Sequence, residues 1–401
     1  MGCVVKIPSL SPPGQKTDLI CFSHLRWNFV FQRPQHLLTR CARERRVFFF
    51  EEPIFDADVP RLETTQDESD VTVAVTHLPA GLAADAVARE LRELVNVLVA
   101  RYRISSSILW YYTPMALAFS RHLRPAGIVY DCMDELSGFA GAPAGLRDAE
   151  QALLAAADVV FTGGQTLYES KRHMHRNVHA FPSSVDVAHF ARARNTPRDP
   201  ADQSGIGRPR LGFFGVIDER LDIDLVAAVA AMRPDWHLVF VGPIVKIDPA
   251  RLPRVPNVHY LGSKDYADLP SYISGWDVAL LPFARNEATR FISPTKTPED
   301  LAAGRPVVST SIRDVVRPYG DRGLVRIADT PADFVAAVAA ALAEPAAPRM
   351  RAADAFLARL SWETTWAGMW DLVEEAVTQR AGSRASSHPA DTRLGGASAT
   401  A

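Results

Sequence analysis

Residues 281–310 read LPFARNEATRFISPTKTPEDLAAGRPVVST. An apolar strand closes near Pro282, a polar loop follows, a short helix breaks at Gly304 and Pro306, and a strand resumes over 307–309. This is a βαβ unit whose polar loop leaves the carboxyl end of a strand. Open α/β sheets bind ligands at that edge, where a helix N-terminus offers unpaired N–H groups and a positive dipole end. A phosphate suits such a place. The side chains suit a nucleotide-sugar better. Lys296 can neutralise a diphosphate, and Glu299 can accept hydrogen bonds from two vicinal ribose hydroxyls. On one helix their spacing of three puts them on one face. Two helix starts are open: Ser293-Pro294 and Thr297-Pro298 each offer a cap followed by proline, and Asp300 would complete a capping box with Thr297. The bland alternative has Glu299 and Asp300 complementing the helix dipole while Lys296 sits in solvent.

The whole string resembles the nucleotide-sugar signature of group 1 glycosyltransferases with the GT-B fold. There a Glu, a small apolar helix, Gly-x-Pro and two valines follow in order, and PEDLAAGRPVV at 298–308 matches. The resemblance implies that Glu299 meets the donor ribose. Phe291 stands where many members carry a Glu that touches the donor sugar. SPTKTPE at 293–299 is similar to the branch with Pro-x-Lys ahead of the ribose Glu. The resemblance covers nearly the full length and implies an α/β architecture of two facing Rossmann-like domains, with a C-terminal crossover helix packing back on the first. It implies retention of anomeric configuration without a covalent enzyme intermediate. No metal and no cofactor are expected beyond the nucleoside-diphosphate sugar, which is the donor substrate.

Composition agrees with two cores. The chain has 401 residues, 47% hydrophobic and 22% charged. With 44 Lys and Arg against 46 Asp and Glu, it lacks the basic excess of a nucleic-acid binder. Cys3, Cys21, Cys41 and Cys132 show no metal-ligand spacing and read as reduced, cytosolic thiols. No apolar run approaches the ~20 residues of a spanning helix. The expected location is cytoplasmic. Arg40, Arg43, Arg45 and Arg46 leave open a peripheral contact with the inner membrane face, against a solvated helix end.

In chain order, 1–17 reads as a flexible arm and 18–190 as the first, acceptor domain, beginning with the strand DLICFS. The loop HLRWNFVFQR at 24–33 has no glycine and is rich in Trp, Phe and Arg. It reads either as an acceptor-binding loop, with Arg26 and Trp27 supplying charge and stacking, or as simple packing. His24, just past the strand, is the polar group expected to reach the cleft. Residues 60–70 read as a polar loop. In YDCMDE at 130–135, Asp131, Asp134 and Glu135 end a buried strand, an arrangement expected to bind acceptor hydroxyls or assist proton transfer. His173, His175 and His179 invite a zinc reading, but residues two apart on a helix face different ways.

Residues 191–209 form a polar Pro/Gly/Asp-rich linker. The second, nucleotide-sugar domain spans 210–360. Its first strand runs into GVIDERLDIDLV, where the resemblance implies diphosphate-binding basic residues and Arg220 is the candidate, against an ion pair with Asp218, Glu219 or Asp222. The donor set expected is therefore Glu299, Lys296 and Arg220, with Thr295, Ser293 and Gly215 beside them. Trp362, Trp366 and Trp370 lie four apart on one face of a helix over 361–379, and 380–401 reads as a disordered tail.

The expected activity is transfer of a hexosyl unit from a nucleoside-diphosphate sugar to a saccharide or lipid-linked acceptor in cell-envelope or exopolysaccharide synthesis. Asp131, His24 and Asp134 are the expected catalytic groups. Two other readings remain: a sugar-nucleotide epimerase of the same fold, and a non-catalytic sugar-nucleotide-binding protein.

Overall fold

A computed structural model describes residues 16–139, 141–195 and 199–386. Most of the N-terminal arm and residues 387–401 lie outside them. The first sheet contains β1 (Asp18–Ser23), β2 (Val47–Glu51), β3 (Arg61–Gln66), β4 (Val71–His77), β5 (Ser107–Tyr111), β6 (Gly127–Cys132), β7 (Val159–Thr162) and β8 (Val178–Ala180). Its spatial order is β3-β4-β2-β1-β5-β6-β7-β8, parallel except for β3. The second sheet contains β9 (Arg210–Phe214), β10 (His237–Val241), β11 (Val258–Tyr260), β12 (Val278–Leu281), β13 (Val307–Ser309) and β14 (Val325–Ile327). It is parallel throughout, ordered β11-β10-β9-β12-β13-β14. Counted within its domain this is the 3-2-1-4-5-6 Rossmann order, and the chain reverses direction across the sheet between β9 and β12. The first sheet reverses in the same way between β1 and β5.

Parallel strands covered on both faces must be apolar throughout, and β1 is buried along its length. The two-residue period divides it between layers. Leu19 and Cys21 join Leu37, Leu38 and Trp110 on one face, while Ile20 and Phe22 join Leu91, Leu94, Val95 and Leu98 on the other.

The C-terminal helix Trp362–Ser386 covers the first of these layers. Trp362, Trp366, Met369, Trp370 and Val373 are buried among the residues of β1, β5 and β7, with Trp366 stacked on Trp370 and His36 on Trp362. The helix runs past 379, so residues 380–386 are helical and not part of a tail; Arg380 pairs with Asp158 at 2.8 Å. The basic cluster is spent on the same packing. Arg40 and Arg43 pair with Glu363, Arg45 lies 3.9 Å over the Trp370 ring, and Arg46 pairs with Asp18. No helix among the described residues is long and apolar enough to cross a membrane.

Residues 61–66, expected within a polar loop, are instead the edge strand β3, antiparallel to β4. Its side chains are exposed or half-buried along the whole strand, so no apolar alternation marks it. The β3–β4 turn forms part of one wall of the cleft.

Away from the cleft, the two domains are joined at a seam. Asp314 accepts hydrogen bonds from the Thr166 N–H at 3.0 Å and from the Thr166 hydroxyl, and Arg313 pairs with Glu169 at 2.5 Å. Gly164 permits this approach: a Cβ there would fall 2.3 Å from Asp314 Oδ2 and 2.7 Å from Ser293 Cβ. Gly164→Ala is expected to loosen the seam, read as faster amide exchange over 164–171 and 311–316 than in the wild type. Unchanged exchange would show that the seam absorbs the methyl group.

Candidate functional site

A cavity of about 950 Å³ lies between the two domains, against the carboxyl edge of the second sheet. Its second-domain wall is built at the β9/β12 reversal. Gly215 ends β9 with φ +127°, a conformation that favours glycine. The Lys296 side chain crosses the space a Cβ would fill, with Cε 2.0 Å from that position. Glycine at 215 therefore lets Lys296 enter the cleft. Lys296 opens the helix Lys296–Ala302, with Thr295 at its cap, so neither of the two expected starts is used. The Thr297–Asp300 capping box is not formed: Thr297 Oγ1 and Asp300 Oδ1 are buried without hydrogen-bond partners among the described residues.

Thr295, Lys296, Glu299, Gly215 and Arg220 all line this cavity. Glu299 is only 6% exposed, and burial pushes its carboxyl up to about 7, with Lys296 opposing the shift. Burial likewise holds the Lys296 ammonium below the ordinary lysine value, against the pull of Glu299. Arg220 makes the ion pair foreseen as its bland alternative: Nε and Nη2 donate to Asp218 at 2.7–3.1 Å. That pair also orients the guanidinium, which still borders the cavity and lies 5.7 Å from the Phe139 ring of the first domain. Ser293 is not among the cavity-lining residues; it packs at the seam against Gly164.

From the first domain, His24 follows β1 at the other reversal point. It is half-buried and is not among the cavity-lining residues, its Nδ1 has no partner among the described residues, and burial first and Lys246 second lower its pKa to about 4. It is neutral near pH 7. Burial raises the Asp134 carboxyl, with Arg220, Arg33 and Lys296 opposing, so Asp134 lies within electrostatic reach of the cations across the cleft.

Asp131 does not belong to the site. Its carboxylate is fully buried and bound by Arg33, with Nε at 3.0 and 3.2 Å and Nη2 at 2.9 Å. Arg33 also donates to the Phe181 carbonyl at 2.7 Å. A strand-end aspartate inside this pair has no free oxygen for a ligand, and its role is to join β6 to the helix Arg33–Ala42. Arg26 is corrected too. It donates to Glu51 at 3.0 Å and to the carbonyls of Glu52 and Pro53, and it does not line the cavity. Trp27 does line it, edge-on to Phe49, with its indole N–H given to Asp67.

Sequence reasoning missed the β3–β4 turn, residues 65–69, which lines the cavity beside Trp27. It also left Tyr266 without a role. The Tyr266 ring stacks on Phe31 of the first domain at 4.6 Å and on His189, just ahead of the linker, at 4.2 Å. Only its place in the strand-end loop GSKDY hinted at this.

Comparison with known proteins agrees with this geometry. Residues 208–344 match the family model described as glycosyl transferases group 1. Over those residues, which make up most of the second domain, the chain is similar to the group 1 glycosyltransferases. It is 27% identical over 248 residues to a Bacillus subtilis (strain 168) protein named as a teichuronic acid biosynthesis glycosyltransferase, TuaH. The match takes in 57% of this chain and 62% of that relative, so the chain spans about three-fifths of the relative's length. Among solved structures, sucrose-phosphate synthase from Thermosynechococcus elongatus superposes with a TM-score of 0.70 at 16% identity, covering 91% of this chain and 100% of that one. Anabaena HepE in complex with UDP and glucose gives 0.63 at 15% identity, covering 90% and 100%. The catalytic domain of Arabidopsis thaliana starch synthase IV with ADP and acarbose gives 0.63 at 9%, covering 91% and 100%. At these identities the likeness establishes the fold, which is GT-B.

Proposed function

We propose that this protein is a glycosyltransferase that moves a hexosyl unit from a nucleoside-diphosphate sugar to a saccharide acceptor, in cell-envelope or exopolysaccharide synthesis. The observation that carries the reading is the convergence of Glu299, Lys296 and Arg220 at the β9/β12 reversal, facing the first domain across one cavity. In the proposed step the bond from the sugar C1 to the diphosphate oxygen breaks and a bond from C1 to an acceptor hydroxyl oxygen forms. The hydroxyl proton passes to the departing diphosphate, whose charge Lys296 and Arg220 offset. Retention of configuration, a lipid-linked acceptor and a peripheral membrane location belong to the proposal. So do the roles of His24 and Asp134 beside the reacting atoms.

Charge gives a direct test. Lys296→Ala and Arg220→Ala are each expected to weaken a nucleoside diphosphate more than the monophosphate, which leaves the second phosphate position empty. The double variant should lose less than the sum, because both cations act on one group. Wild-type affinity should also fall with ionic strength more steeply than that of the double variant. Calorimetric titration with both nucleotides reads all three. Equal losses for the two nucleotides would remove both residues from the site.

A further inference from the structure

The two walls of the cleft differ in charge, and the difference bears on the acceptor. The second-domain wall carries three cations, Arg220, Lys264 and Lys296, beside the carboxylates Asp265 and Glu299. The first-domain wall, made among the described residues by 27–32, Gln35, Thr39, the turn 65–69 and Val73, contains no Lys, Arg or His; its charged residues are Asp67 and Glu68. Arginines flank this wall in sequence but are turned from it, Arg26 to Glu51 and Arg33 to Asp131. The Asp67 carboxylate accepts from the Trp27 indole and from Ser69, which fixes the wall's shape. Glu68 is exposed at the turn. Phe29, 49% exposed, is an aromatic surface on the same wall, which also carries Asn28, Thr65 and Gln66 as hydrogen-bonding groups.

We propose that the acceptor ring held by this wall is an uncharged sugar, its apolar face against Phe29, and that Glu68 discriminates against rings bearing a carboxylate or phosphate. A sugar ring offers an aromatic surface its C–H face and keeps its hydroxyls for polar neighbours. An anionic ring there meets a carboxylate and no compensating cation, and a repulsive contact of this kind sets specificity without adding affinity for the right partner. The proposal rests on the transferase reading above.

Benzyl glucoside and benzyl glucuronide differ only at C6, and the galactose pair repeats the comparison. Each is offered with a panel of nucleotide-sugar donors, and product is read by mass spectrometry. The wild type is expected to use the neutral member about tenfold faster or more, a difference of the size one uncompensated charge contact produces. Glu68→Lys should move the ratio toward the uronide, more at low salt than at high. Phe29→Ala should lower use of the neutral acceptor while nucleoside diphosphate affinity stays unchanged. A wild type that uses the uronide as fast as the neutral sugar overturns the proposal, as does a ratio unmoved by Glu68→Lys or inertness of every neutral acceptor while nucleotide binds. Failure to bind UDP, ADP or GDP by calorimetry would remove the transferase reading instead, so the two failures are read separately.

Discussion

Asp131→Ala is expected to lower the stability of the first domain by about 3–5 kcal/mol, the usual loss when one partner of a buried ion pair is removed. Both partners are shielded from water, Arg33 being 1% and Asp131 0% exposed. Asp131 holds the Arg33 pKa above its ordinary value against burial; without Asp131 that support is lost, but a guanidinium starts so far above neutral pH that it stays charged. That charge would then lie beneath the C-terminal helix, where Arg33 Nη2 is 3.7 Å from Met369 Sδ. Thermal unfolding should shift down by on the order of 10 °C. The double variant Arg33→Met with Asp131→Leu removes both charges at similar volume and should recover most of the loss. A catalytic Asp131 predicts the reverse: Asp131→Ala folded and stable with transfer abolished, and no rescue by the double variant.

The contrast between Asp131 and Glu299 shows what the sequence could convey. Asp131 sits at the carboxyl end of the buried strand β6 and Glu299 in the first turn of a helix that follows β12, and local patterning gives each a claim to a cleft. What separates them is a partner 98 residues away in the chain, since Arg33 reaches Asp131 only after the crossovers bring β1 and β6 into one sheet. The place of Glu299 on the cavity wall was legible through a resemblance carried by local residues, Gly304 and Pro306 among them. The same limit explains Arg26: its partner Glu51 ends the adjacent strand β2, a pairing fixed by sheet order. The strands of both domains were legible from apolar runs, and β3 was not, because a polar edge strand carries no such run. The wall it builds, with Asp67 and Glu68, therefore had no sequence signal at all.

Glu299→Ala is expected to weaken binding of a nucleotide-sugar by about 3 kcal/mol, roughly 150-fold, as two hydrogen bonds from ribose hydroxyls to a charged acceptor are lost. A 2′,3′-dideoxy nucleotide should lose almost nothing, because it has no hydroxyls to offer. The raised pKa adds a second signature. With the Glu299 carboxyl near 7, the empty site holds a mixture of protonated and ionised forms at neutral pH. The ionised form accepts both hydroxyls, so binding displaces the proton, and affinity should rise with pH up to about 7 and level off above it. Below the pKa the slope approaches one logarithmic unit of affinity per pH unit. A nucleotide-sugar is the right probe, since its esterified diphosphate loses no proton in this range, whereas a free nucleoside diphosphate does. Glu299→Gln keeps the shape, cannot ionise, and should bind weakly with a flat profile from pH 6 to 8. Calorimetry across that range with both proteins reads the slope and the affinity together. A wild-type profile as flat as that of Glu299→Gln, together with an alanine variant that binds as tightly as the wild type, would separate Glu299 from the ligand.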